Sequence, residues 1–66
     1  MKVYLNNKEI ELENNSTLLF LLEQFNIKRQ GIAVAVNNSV ISITQCDSYF
    51  LNDNDKITII KAVSGG

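Results

Sequence analysis

The sequence predicts an α+β domain in which one main helix packs across a mixed sheet of four to five strands. Three observations lead there. A single leucine-rich stretch carries helical spacing, the segments on either side are β-branched or alternate charged and apolar residues, and asparagine-rich turns punctuate the chain. No second stretch with helical spacing is found, which argues against a ferredoxin-like arrangement.

The first element is a short β-rich run, Lys2–Leu5. Asn6 and Asn7 tolerate positive φ and supply a tight turn, and residues 8–13 then alternate charged and apolar side chains with the period of a half-buried strand. The two runs form a hairpin with Val3, Leu5, Ile10 and Leu12 facing inward. Asn14 and Asn15 break the alternation, and Ser16 is placed to cap a helix over residues 17–25. Within it Leu18, Leu21, Leu22 and Phe25 follow the i, i+3, i+4, i+7 spacing of one buried face. Leu19 and Phe20 fall off that stripe as a candidate contact patch, the plainer alternative being a core that wraps the helix edges.

Gly31 ends the connecting loop. Ile32–Val36 is an uninterrupted β-branched and alanine run, expected to be a central strand covered on both faces, with Val34 and Val36 sharing one side and Ala33 and Ala35 the other. Asn37, Asn38 and Ser39 turn into a short strand over residues 40–43, and an irregular stretch over residues 45–51 buries Tyr49, Phe50 or Leu51. Residues 52–55 turn the chain into a last strand over residues 56–63. Strand, strand, helix, strand, short strand, strand in so few residues is the β-grasp, or ubiquitin-like, order, with the terminal strands central and parallel. Residues 1–62 are read as the β-grasp domain and residues 63–66 as a flexible C-terminal Gly-Gly tail.

Composition narrows the chemistry. A chain of 66 residues, 45% apolar and 20% charged, has room for one core and none for a large enclosed active-site cavity. Six basic residues against seven acidic ones leave a net charge of −1, with Lys28 and Arg29 the one adjacent basic pair, so there is no electrostatic footprint for nucleic acid. With no histidine and one cysteine, the usual imidazole bases, a Cys-His pair, a zinc site and an intramolecular disulfide are absent. A cytoplasmic protein is expected, without signal peptide or membrane anchor.

The most informative residues are the last four, Val63, Ser64, Gly65 and Gly66. Following a strand directly, they carry the terminal carboxylate roughly 13 Å beyond the sheet. Without Cβ atoms, Gly65 and Gly66 fit a channel too narrow for other residues, as a tail inserted into a partner's active site requires. The carboxylate is ionised at neutral pH and a poor electrophile, so it reacts only after activation, and adenylation by ATP would provide that.

The chain resembles the thiamine-biosynthesis sulfur carrier (ThiS) family, the short ubiquitin-like proteins ending in Gly-Gly. The resemblance spans the whole chain. It rests on the Asn6-Asn7 hairpin, Thr17-Leu18 with Leu21-Leu22-Glu23-Gln24, the stretch from Gly31 to Asn37, the Asp53-x-Asp55 turn and the Gly65-Gly66 tail. It implies a carrier without a catalytic site or bound cofactor. An E1-like (ThiF-like) adenylyltransferase would use ATP to adenylate Gly66. Sulfur drawn from cysteine through a desulfurase would make the thiocarboxylate, which a thiazole synthase (ThiG-like) would consume. Ser64 and Gly65 would enter the partner with Gly66. The docking face would be the outer sheet face: by alternation from inward Ile57 and Ile59 it includes Thr58, Ile60 and Ala62, with Ala33 and Ala35 beside them.

Three departures from the family pattern stand out. Asn54 stands where glycine is usual, Ser42 and Ile43 where a proline and a basic residue are frequent, and Cys46 where a tryptophan is frequent. A molybdopterin-type sulfur carrier, a ubiquitin-like protein modifier and a small interaction module remain alternative readings. Cys46 has no flanking base or cation to activate it and reads as buried or incidental. Glu9, Glu11 and Glu13 read as a solvated strand face, and Asp53 and Asp55 as a plain turn lacking the closing glutamate of a calcium loop.

Overall fold

The computed structural model describes residues 1–61. The predicted end of the last strand, Ala62 of the outer face, and the tail residues Ser64, Gly65 and Gly66 lie outside the described residues. The elements are β1 (Lys2–Leu5), β2 (Lys8–Glu11), α1 (Leu18–Gln24), β3 (Ile32–Val36), β4 (Ser39–Ile41), a 3-10 helix (Ile43–Ser48) and β5 (Lys56–Lys61). They form one five-stranded sheet in the order β2-β1-β5-β3-β4. β1 and β5 run parallel with Tyr4 opposite Lys56, and β5 is antiparallel to β3 with Ile32 opposite Lys61. This is the β-grasp topology expected, with one refinement: β5 alone is central and β1 lies beside it.

Turn chemistry fixes the hairpins. Asn6 and Asn7 have φ of 49° and 70°, and Asn37 and Asn38 have 52° and 71°, so each hairpin closes on two left-handed residues whose twist matches the strands. All seven non-glycine residues with positive φ among those described are asparagines. Asn54, where the family favours glycine, is one of them at φ 70°.

Helix α1 starts on Thr17, not Ser16. The Thr17 hydroxyl accepts from the Phe20 N–H at 3.1 Å, whereas the buried Ser16 hydroxyl turns back to donate to the Glu13 carbonyl at 2.6 Å. The helix ends in a Schellman motif: Ile27 N–H donates to Leu22 O, Asn26 N–H to Glu23 O, and Asn26 at φ 56° takes the position glycine usually fills. That stop removes Phe25 from the buried face. Leu18, Leu21 and Leu22 are fully buried, but Phe25 is the C-cap, has left the helical path at φ −104° and is 42% exposed. Leu19 packs on the core edge while Phe20 faces outward, so the two do not form one patch.

The core consists of Val3, Leu18, Leu21, Leu22, Val34, Val36, Cys46, Leu51 and Ile57, with Leu5, Ile10, Leu12 and Ile59 packed around it. Because α1 covers a single face, β3 is not buried on both sides: Val34 and Val36 point into the core and Ala33 is exposed. Two predicted strands are shorter than expected. β2 stops at Glu11, after which Leu12 N–H bonds Met1 O, and β4 stops at Ile41, because Ile43 enters the 3-10 helix. Beyond that helix Leu51 is buried, Tyr49 is half-buried and Phe50 is exposed. This segment locks onto α1 through Leu18 N–H to Tyr49 O and Leu51 N–H to Ser16 O.

Cys46 is a core residue. Its Sγ lies 3.9 Å from the Ser42 carbonyl, and burial pushes the thiol above its ordinary value of 9.0, the nearby Arg29 charge working the other way and Asp47 adding to the rise. Protonated and enclosed, it is a poor nucleophile. Iodoacetamide should alkylate Cys46 in the native protein at least about a hundredfold more slowly than in denaturant. A thiol that binds its proton more tightly when folded contributes stability that is complete below the unfolded pKa and fades as pH rises past it. Urea titrations above pH 9 should therefore show a shallower loss of stability in Cys46→Ala than in the parent. The turn asparagines give a separate test. Asn38→Ala should cost about 1–2 kcal/mol through the left-handed strain, and Asn38→Gly much less, by equilibrium unfolding.

Candidate functional site

The face of the sheet opposite α1 is divided by chemistry. Alternation along β5 sends Ile57 and Ile59 inward and leaves Thr58 and Ile60 on the outer side, where Ile60 is 54% exposed. Across the ladder, Ala33 stands opposite Ile60, and Ala35 stands between Thr58 on one side and Val40 on the other. Val40, 76% exposed, is the most exposed large apolar residue described. The two alanines therefore form a low floor between the larger side chains of Ile60 and Val40. Val40 was not among the residues predicted for the outer face; its pairing with Ala35 brings it there.

The other half of this face is polar. Tyr4 pairs with Lys56 and Glu9 with Tyr4, and the Lys2 ammonium lies 4.0 Å from the Glu9 carboxylate. Tyr4, Asn7, Asn54 and Lys56 line a shallow concavity there of about 470 Å³. Glu9, Glu11 and Glu13 are exposed, in keeping with a solvated strand face.

Side-chain bonds hold β5 in register with its neighbours. The Asn6 carboxamide oxygen accepts from the Ile59 N–H at 2.9 Å, taking over the ladder just past the last β1 residue. At the opposite end, the buried Asp55 carboxylate accepts from Asn37 Nδ2 at 2.9 Å and from the Asn52 N–H at 2.8 Å. Asn37 Oδ1 in turn accepts from the Lys56 N–H at 3.0 Å. Asp53 accepts from the Lys2 N–H at 2.7 Å, so both aspartates serve the turn, as the sequence predicted. Among the described residues no His, Cys, Asp or Glu side chains are grouped to hold a metal ion, and no helix is long and apolar enough to cross a membrane.

Of the predicted site residues, Thr58 and Ile60 lie together on the outer face with Ala33 and Ala35. Ala62, Ser64, Gly65 and Gly66 lie outside the described residues, and β5 is the strand that leads to them.

Comparison with known proteins agrees with this geometry. In fold, the chain is similar to the crystal structure of a thiamine biosynthesis protein (ThiS) from Geobacter metallireducens, with TM-score 0.85 at 19% identity and complete coverage of both chains. A solution structure of a thiamine biosynthesis protein from the same organism superposes with TM-score 0.76 at 19% identity, over all of this chain and 88% of that one. In sequence it is 26% identical over 66 residues to the sulfur carrier protein ThiS of Escherichia coli K12, covering both chains completely. It is 29% identical to an uncharacterized protein, ycf40, of Pyropia yezoensis, covering all of this chain and 93% of that one. The family match spans residues 2–66, from β1 through the final glycine, and the chain belongs to the ThiS family.

Proposed function

We propose that this chain is a sulfur carrier for thiazole formation in thiamine biosynthesis, a co-substrate rather than an enzyme. The observation that carries the reading is the extent of the family match, which reaches Gly66 and so includes the residue that would bear the sulfur. The apolar strip of Ile60, Ala33, Ala35 and Val40 beside the strand leading to the tail supports it as a docking face.

In this mechanism the Gly66 carboxylate attacks the α-phosphate of ATP in the active site of an E1-like adenylyltransferase. Pyrophosphate leaves and an acyl-adenylate forms. A desulfurase takes the sulfur from cysteine as a persulfide, a thiol reductant releases it at the oxidation level of sulfide while being oxidised to a disulfide, and that sulfide then attacks the carbonyl carbon. The C–O bond to AMP breaks as the C–S bond forms, leaving a thiocarboxylate on Gly66. A thiazole synthase takes that sulfur and returns the carboxylate for another round. ATP is consumed by the activating partner, and no cofactor is assigned to this chain. Thr58, Ile60 and Ala62 contribute docking surface, Ser64 and Gly65 occupy the channel, and Gly66 is the modified residue. Two glycines permit the close backbone approach that a narrow channel demands.

Incubation with ATP, the adenylyltransferase, a cysteine desulfurase and cysteine should replace one oxygen by sulfur. Fragment mass spectrometry should place the change at Gly66, since oxidation of Met1 or Cys46 adds nearly the same mass. A chain lacking Gly66 should stay unmodified. An unmodified parent tail, with the same partners active on a control carrier, would overturn the reading. Ile60→Asp should lower kcat/KM for tail adenylation by about tenfold or more by placing a charge in the apolar strip. Its unfolding free energy should change by less than about 0.5 kcal/mol, because the side chain is exposed.

A further inference from the structure

We propose that the groove between α1 and the loop entering β3 is a second contact site, taking an acidic segment with an adjoining apolar side chain from the rim of the activating partner's tail channel. The inference rests on the carrier reading above. The groove has a volume of about 320 Å³ and is lined by Leu19, Glu23, Ile27, Lys28, Arg29 and Gln30.

Position is the first argument. Ile32 stands opposite Lys61, so the loop that delivers the chain into β3 lies beside the place where β5 hands over to the tail. Arg29 is three peptide units before Ile32, at most about 11 Å along the chain. A partner that swallows the tail must bring the rim of its channel against this end of the molecule, whereas the polar concavity at Tyr4 and Lys56 lies at the other end of β5.

Charge is the second argument. The chain carries net charge −1, yet Lys28 and Arg29 are adjacent, exposed and, among the described residues, without a carboxylate within 4.0 Å. Within the groove the two cations Lys28 and Arg29 outnumber the one carboxylate, Glu23, so this end of the molecule presents a locally basic patch on a chain of net negative charge. An acidic rim would attract this patch during encounter and draw the tail end of β5 toward the channel. Leu19 and Ile27 supply the apolar part of the groove and would take the side chain next to the partner's carboxylate. Two cations with Glu23 among them make a small mixed site, suited to one acidic segment and poorly suited to a polyanion.

The test is steady-state adenylation of the tail by the adenylyltransferase at low and high salt. The double variant Lys28→Glu/Arg29→Glu should raise KM for the carrier by about tenfold or more at low ionic strength, leave kcat unchanged, and approach the parent in 0.5 M salt, as about 4 Å of screening length implies. Circular dichroism should show the parental fold. Lys8→Glu, on the β2 edge, reverses one charge away from the groove, half the net-charge change of the double variant, and should change KM less than about twofold. An unchanged KM in the double variant, or an equal rise in Lys8→Glu, overturns the inference while leaving the carrier reading intact. A parent chain that is never adenylated refutes the carrier reading and this inference with it.

Discussion

The constraint on which the rest depends is the demand that β5, the middle strand, be hydrogen-bonded along both edges. β1 reaches only to Leu5 opposite Ile57, and β3 pairs onward to Lys61. Where β1 stops, the exposed Ile59 N–H has no strand partner on that edge and would be left to solvent. The Asn6 carboxamide oxygen accepts from that N–H instead, and because Asn6 also makes the left-handed turn into β2, one residue both closes the hairpin and extends the ladder. At the other end, Asp55 and Asn37 fasten the start of β5 to the β3–β4 turn. With both ends fixed, the alternation that buries Ile57 and exposes Ile60 is fixed as well, since a slip of one residue would exchange them.

Much of this was legible in the sequence because it follows from period and composition. Alternation placed Val3 and Ile57 inside and Ile60 outside, and helical spacing placed Leu18, Leu21 and Leu22 in the core. Asparagine doublets marked both tight hairpins. The errors arise where a local pattern has two solutions. Ser16 and Thr17 are both good caps; it is the Thr17 hydroxyl that accepts from the Phe20 N–H, while the Ser16 hydroxyl donates back to the Glu13 carbonyl. Phe25 continued the apolar spacing, but spacing does not reveal a Schellman stop one residue earlier.

The site was legible to a similar depth. Strand alternation found Thr58 and Ile60, and register then set Ala33 and Ala35 beside them. Val40 escaped because a three-residue edge strand gives too little period to assign its faces, and only the pairing with Ala35 brings it into the strip. The bracing roles of Asn6, Asn37 and Asp55 depend on groups distant in sequence, so composition marked these residues as turn formers and nothing more.

The sheet order has a consequence for how the molecule is made. β5 is the last described strand to be synthesised and the middle one in space, and it joins the β2-β1 hairpin to β3-β4. Until it arrives, the two hairpins share no ladder, and the side of Val34 and Val36 meant for the core lacks the neighbouring Ile57. The pairing of residue 4 with residue 56 closes a loop of nearly the whole chain, a slow kind of contact. Assembly of the sheet is therefore gated by its final strand. The outer surface of Thr58 and Ile60 comes into existence in the same event that joins the two hairpins into one sheet.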